Sequence, residues 1–195
     1  MHIVDTFDGG VVDSNTWNVF VNGIGVDAVQ RNGKLLISIA AGAKPGGAWN
    51  SVSAQYGSRA CFSGDIDMQV DYRLINWYPN SGAYVSLQAV FADAMVERFA
   101  DANGGHDVFA SMIKPRWQMT TANDTAGSLR LTRVNGIVTT YYLDNGAWQA
   151  IDTGPAPNPA HLHIGLSVNT GLTPSSDIVV ELDNFSATAA GVTTC

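Results

Sequence analysis

Between Cys61 and Leu74 the chain alternates without a break: Ile66, Met68, Val70, Tyr72 and Leu74 are apolar, and Asp65, Asp67, Gln69, Asp71 and Arg73 lie between them. Side chains of a strand point to opposite faces with period two, so this stretch is a long strand with one dry and one wet face. A dry face of that length needs strands on both edges and a second sheet packed against it. The expectation is an antiparallel sandwich.

The remaining chain fits that reading. Buried or half-buried strands are expected at Leu35–Ala40, Tyr84–Phe91, Ala94–Ala102, His106–Ile113, Trp117–Thr121, His161–Asn169 and Asp177–Ala187. Ser128–Val134, Ile137–Leu143 and Ala147–Ile151 read as a meander, because Asn135-Gly136 and Asn145-Gly146 supply the positive φ values of tight hairpins. Residues 41–48 and the proline-rich Thr153–Pro159 are expected as loops. Three lysines and two glutamates leave little stock for helix surfaces. The 195 residues suit one domain over 1–188, followed by a C-terminal tail at 189–195.

A net charge of −7 argues against phosphate backbones and anionic membranes, which call for clustered Lys and Arg, so nucleic acid is not an expected partner. No apolar run approaches the roughly 20 residues that span a bilayer, and membrane insertion is not expected. Sparse lysine with abundant Thr, Asn and Gly fits a secreted or cell-surface protein, although Met1–Asp5 has no signal-peptide character. Oligomeric state is not set by anything in the sequence. If the last strand runs antiparallel beside the long one, Cys195 comes near Cys61. A disulfide between them and a free buried Cys61 are both compatible with the spacing.

Three patterns suggest chemistry and have plainer readings. Gly23-Ile24-Gly25 lacks the strand and helix of a dinucleotide fingerprint. Asp65, Asp67 and Asp71 share one strand face, close enough for paired-carboxylate work, but a row of acids on an outer face is ordinarily solvated surface. His161 and His163 share a face at a metal-binding spacing with no third ligand identifiable, and read as surface or groove residues.

Asp5-Thr6-Phe7-Asp8-Gly9 with Trp17, Asn32-Gly33-Lys34-Leu35, Ser63-Gly64-Asp65-Ile66-Asp67, Leu129–Arg133 with Tyr141-Tyr142 and Trp148, and Leu182-Asp183-Asn184-Phe185 follow one another in an order that resembles the concanavalin A-like lectin/glucanase superfamily, most of all its laminin-G-like and carbohydrate-associated bacterial members. The resemblance implies an all-β jelly roll of two antiparallel sheets. It also implies a structural calcium where first and last strands meet, held by Asp183, carbonyls near Phe7 and Gly33, and Asp5. Fold does not choose among lectins, hydrolases, lyases and adhesion domains.

Glucanases of the superfamily carry a Glu-x-Asp-x-x-Glu strand, which this chain lacks. Sugar recognition needs flat aromatic faces and planar polar groups. Trp77, Tyr78, Trp117, Tyr142 and Trp148 with Gln88 and Arg98 are the candidates. The expectation is a non-catalytic glycan-binding module for an oligo- or polysaccharide. The alternatives are a glycoside hydrolase or polysaccharide lyase with Glu97, His106 and Tyr142 near the chemistry, and a protein-binding adhesion domain.

Overall fold

The computed structural model describes residues 2–46, 51–90, 92–156 and 160–193. These form fourteen strands: β1 (His2–Asp5), β2 (Trp17–Asn22), β3 (Ile24–Gln30), β4 (Leu35–Lys44), β5 (Val52–Asn76), β6 (Ala83–Val90), β7 (Ala94–Ala100), β8 (Asp107–Ile113), β9 (Arg116–Thr121), β10 (Ala126–Val134), β11 (Ile137–Asp144), β12 (Ala147–Pro155), β13 (Ala160–Val168) and β14 (Ile178–Thr193).

The alternating stretch is the second half of β5, which spans 25 residues and belongs to both layers. Its first half pairs antiparallel with β2 and β13, and its second half with β10 and β14. One sheet runs β12-β11-β10-β5-β14, with β4 and β1 along the other edge of β14 and β3 beyond β4. The other runs β2-β5-β13-β6-β7-β8-β9. The strand changes layer at an irregularity: His161 stands opposite Cys61 but His163 opposite Gly57, so β5 holds two more residues than β13 there. Extra residues of this kind bend a strand and increase its twist. The result is the two-sheet antiparallel jelly roll.

The dry face of β5 behaves as its pattern dictates. Ile66, Met68, Val70 and Tyr72 are at most 3% exposed and share one core with Leu87, Val96, Leu162 and Ile164 of the opposing sheet. Phe7, Trp17, Tyr56 and Phe185 close one end of that core. The Trp17 ring lies 5.0 Å from Phe185, edge-on, and its Nε1 donates to Asp5 at 2.7 Å. Both Asn-Gly hairpins take two successive positive φ values, 51° and 78° at Asn135-Gly136 and 49° and 79° at Asn145-Gly146.

The structure corrects several boundaries. Residues 189–193 are not tail: β14 continues to Thr193, and Thr193 stands opposite Cys61. The expected loop at 41–48 begins later because β4 runs to Lys44, and β12 continues to Pro155. Cys61 is buried and disulfide-bonded, but Cys195 lies outside the described residues. The wet-face acids of β5 are committed to protein donors. Arg130 grips Asp67 through Nε and Nη2 at 2.8 and 2.6 Å, Ser128 donates to Asp71 at 2.5 Å, and the Asn135 amide donates to Asp65 at 2.7 Å.

Candidate functional site

Residues paired across antiparallel strands share a face, so register alone places side chains on the sheet face turned away from the core. One transverse row reads Phe20, Gln55, Gly165, Ser86, Glu97, Ala110, Met119, from β2 to β9. The row beside it includes His163, Gln88, Met95, Met112 and Trp117. On the other side the row includes Ser167, Tyr84, Phe99 and Val108. Glu97 therefore stands mid-face on β7, 3% exposed, and is the one carboxylate among the described residues of the three rows.

No donor among the described residues engages that carboxyl, and burial pushes it up to about 8. Desolvation disfavours the charged form, so near neutral pH Glu97 carries its proton and can give it up. Tyr84, between Ser167 and Glu97, has its phenol raised first by burial and then by the Glu97 charge, with the Ser167 hydroxyl bond opposing both.

Small residues let the flanking side chains lean together. A Cβ on Gly57 would come within 2.8 Å of His163 Nε2 and 2.9 Å of the Phe20 ring, and a Cβ on Gly165 within 2.8 Å of Gln55 Cα. Phe20 stacks on His163 with centroids 5.7 Å apart and planes at 8°. His163 Nδ1 faces Gln55 Oε1 at 3.2 Å, its Nε2 faces His161 Nδ1 at 3.1 Å, and His161 Nε2 meets the Ser58 carbonyl. Burial, and then its neighbour His161, push His163 down to about 4, so it is neutral and able to accept a proton across the physiological range. Gln88 Nε2 donates to Ser86 Oγ at 2.8 Å beside Glu97.

Of the residues singled out from sequence, Glu97, Gln88, His163 and Trp117 share this face, and Trp117 is 43% exposed at its edge. Arg98 does not: alternation turns it inward, 2% exposed, where it pairs with Asp107 at 2.9 Å and Asp124 at 3.2 Å. Tyr142 stands on β11 of the other sheet, half-buried against the core and stacked on Phe109 at 4.1 Å. Trp77 and Tyr78 offer no free platform. Trp77 Nε1 donates to Asp107 at 2.8 Å, the Tyr78 hydroxyl accepts from the Ser175 amide at 2.8 Å, and both rings pack against the core. Trp148 lies on the other sheet against Arg130, 5.4 Å from its guanidinium, and His106 sits in an exposed turn with Nδ1 2.7 Å from the Gly104 carbonyl. The site residues not singled out were Phe20, Gln55, Tyr84, Ser86 and Ser167. The alternation of Val85, Leu87 and Ala89 could have placed Tyr84, Ser86 and Gln88 together on the opposite face.

Of the residues implied for calcium, Asp183 pairs with the Lys34 ammonium. Asp5 accepts from the Phe7 amide at 2.7 Å and from Trp17. Among the described residues no three His, Cys, Asp or Glu converge on one point.

No protein-family model and no curated protein matches the sequence. Solved structures do resemble it in fold. A structure described as a beta-1,3-glucanase from Mycobacterium marinum superposes with a TM-score of 0.68 at 15% identity, covering 95% of this chain and 97% of the other. LamAcat from Zobellia galactanivorans gives 0.67 at 12%, covering 95% and 96%. Rv0315 of Mycobacterium tuberculosis, described as an immunostimulatory antigen and pseudo beta-1,3-glucanase, gives 0.66 at 11%, covering 97% and 98%. The expectation of a non-catalytic glycan-binding module is corrected by these likenesses: structures sharing the fold end to end are named for glucanases and glycosyl hydrolases. At such identities the likeness shows the fold alone, a concanavalin A-like jelly roll.

Proposed function

We propose that this protein is a glycoside hydrolase acting on a neutral glycan laid across the β2-to-β9 face, with Glu97 as the proton donor. The observation that carries the reading is the Glu97 carboxyl itself: buried mid-face, engaged by no donor among the described residues and raised to about 8. A general acid needs a pKa near its working pH.

A retaining mechanism needs a second carboxyl at roughly 5 to 5.5 Å, and the described residues of the face hold none. The partner role falls to neutral His163, two strands from β7 and one row over. Two strand spacings of about 4.8 Å and one row of about 6.8 Å set the two backbone positions roughly 12 Å apart, wide enough for a sugar ring and a water between them. Glu97 protonates the leaving oxygen, the C–O bond breaks, and the water that adds to the anomeric carbon gives its proton to the His163–His161 pair, whose ring nitrogens face each other at 3.1 Å. That is a single displacement with inversion.

The glycan is neutral because the face presents no Arg or Lys among its described rows. Arg98, the cation that uronate chemistry would use, is spent on Asp107 and on the part-exposed Asp124. The polysaccharide lyase alternative loses its charge-neutralising group accordingly. We also propose work in an oxidising, extracytoplasmic setting, supported by the disulfide-bonded state of Cys61.

The test is incubation with a panel of neutral β-glucans and with uronate polymers, following reducing ends and the product anomer by proton NMR. Reducing ends from a neutral glycan, released with inversion, are expected. No release from any neutral glycan, or unsaturated uronate products, would overturn the reading.

A further inference from the structure

Placing the scissile oxygen at Glu97 divides the face into two halves of unlike chemistry. Toward β6, β13 and β5 the side chains next to Glu97 are Ser86, Gln88, Gln55 and His163, all able to read hydroxyl groups. Toward β8 and β9 they are Ala110, Met112, Met119 and Trp117, flanked on β7 itself by Met95 and Phe99. Phe99, Val108 and Ala110 form a hydrophobic cluster of their own, outside the sandwich core. Three of the chain's five methionines lie on this strip, and methionine surfaces adapt to apolar shapes of varying outline. The strip holds no charged group, and the Trp117 indole N–H is its one hydrogen-bonding side chain before Thr121 at the corner; Met119 is 52% exposed and Trp117 43%.

We propose that this site, besides neutral glycans, prefers a glycoside with an apolar leaving group: a sugar joined to an alkyl chain, with the sugar on the polar half and the chain lying over β8 and β9. The proposal rests on Glu97 as proton donor, because that fixes the leaving oxygen at the seam between the halves. A second sugar on the leaving side would meet one polar side-chain group before the corner, the Trp117 indole N–H, across two strand spacings of about 10 Å in all, whereas an alkyl chain finds apolar contact along all of it. Hydrolysis then adds water across the anomeric C–O bond. The sugar leaves with a new hydroxyl, and the alkyl group leaves as an alcohol carrying the Glu97 proton.

The experiment is calorimetry on the Glu97→Gln protein, which retains the face but does not consume its ligand. The probes are n-octyl β-D-glucoside below its micelle-forming concentration, methyl β-D-glucoside, and an octyl-chain zwitterionic detergent. Each buried methylene strengthens binding roughly fourfold, so partial burial of the chain predicts at least about a 30-fold preference for octyl over methyl glucoside. The zwitterionic detergent is expected to bind at least tenfold more weakly than octyl glucoside. Combined Met119→Ser and Trp117→Ala changes are expected to erase the octyl preference. Equal binding of the two glucosides, or of octyl glucoside and the zwitterionic detergent, would overturn the proposal, as would a preference that survives the double change. Wild-type turnover, measured in parallel, separates the two ideas. Hydrolysis of glucans without an octyl preference sinks this inference alone, and an octyl preference without hydrolysis of any glycoside sinks the assignment of Glu97 while the amphiphilic ligand stands.

Discussion

Replacing Glu97 by Gln should change the stability of this protein in a way that depends on pH. The folded state holds the carboxyl at about 8, against an ordinary value of 4.5. Between those values the folded protein binds a proton that the unfolded chain has released, so stability falls as pH rises. Integrated from pH 5 to pH 8, the loss from this one group is about 3.5 kcal/mol, a large part of the 5 to 15 kcal/mol typical of a domain. Glutamine does not titrate, so its fixed offset cancels when pH values are compared. Urea midpoints for both proteins at pH 5, 6.5 and 8 should show Glu97→Gln gaining on wild type steadily, by about 3 kcal/mol or more over the range. A stability difference that stays constant across these pH values would refute the claim that burial holds the carboxyl protonated.

The rate of glycan hydrolysis should plateau between about pH 4, where His163 is half protonated, and about pH 8, where half of Glu97 has lost its proton; initial rates across pH 3.5 to 9.5 check both limbs. Arg98→Met leaves Asp107 and Asp124 without their cation inside the sandwich, and should cost about 3 to 5 kcal/mol in urea unfolding while turnover per folded molecule stays unchanged. Gly165→Ala drives a Cβ against the Ala54 carbonyl and Gln55 Cα, which are backbone and yield little; a loss of roughly 1 to 3 kcal/mol is expected, read by thermal unfolding.

The architecture was legible because one physical rule carried it. The uninterrupted alternation from Ile66 to Leu74 could serve only a strand buried on one face, and the Asn-Gly pairs at 135 and 145 dictated their hairpins. The far end of β14 was harder to read: Ser186-Ala187-Thr188-Ala189-Ala190-Gly191 is small and weakly patterned, and its pairing is imposed by β5 rather than by its own propensity. The site was half visible. Residue type brought out Glu97, Gln88 and Trp117. It also brought out Arg98, which alternation turns to the inner side of the same sheet, and Tyr142, which stands on β11 of the other sheet. Trp77 and Tyr78 looked like a platform because their loop is rich in Pro, Asn and Gly, but hydrogen bonds to Asp107 and Ser175 hold them against the core. Gly57 and Gly165 carry no chemistry, and their role of letting Phe20, His163 and Gln55 converge shows only when strands from distant parts of the chain are laid side by side.

The most direct test of Glu97 as the general acid compares two substrates that differ in their need for one. A neutral β-glucan has a poor leaving group that must be protonated, whereas a 2,4-dinitrophenyl glycoside leaves unaided. Glu97→Gln should lower the rate on the glucan by roughly 10²- to 10⁴-fold and leave the dinitrophenyl glycoside within about tenfold of wild type. Equal losses on both, or no loss on the glucan, would contradict the assignment.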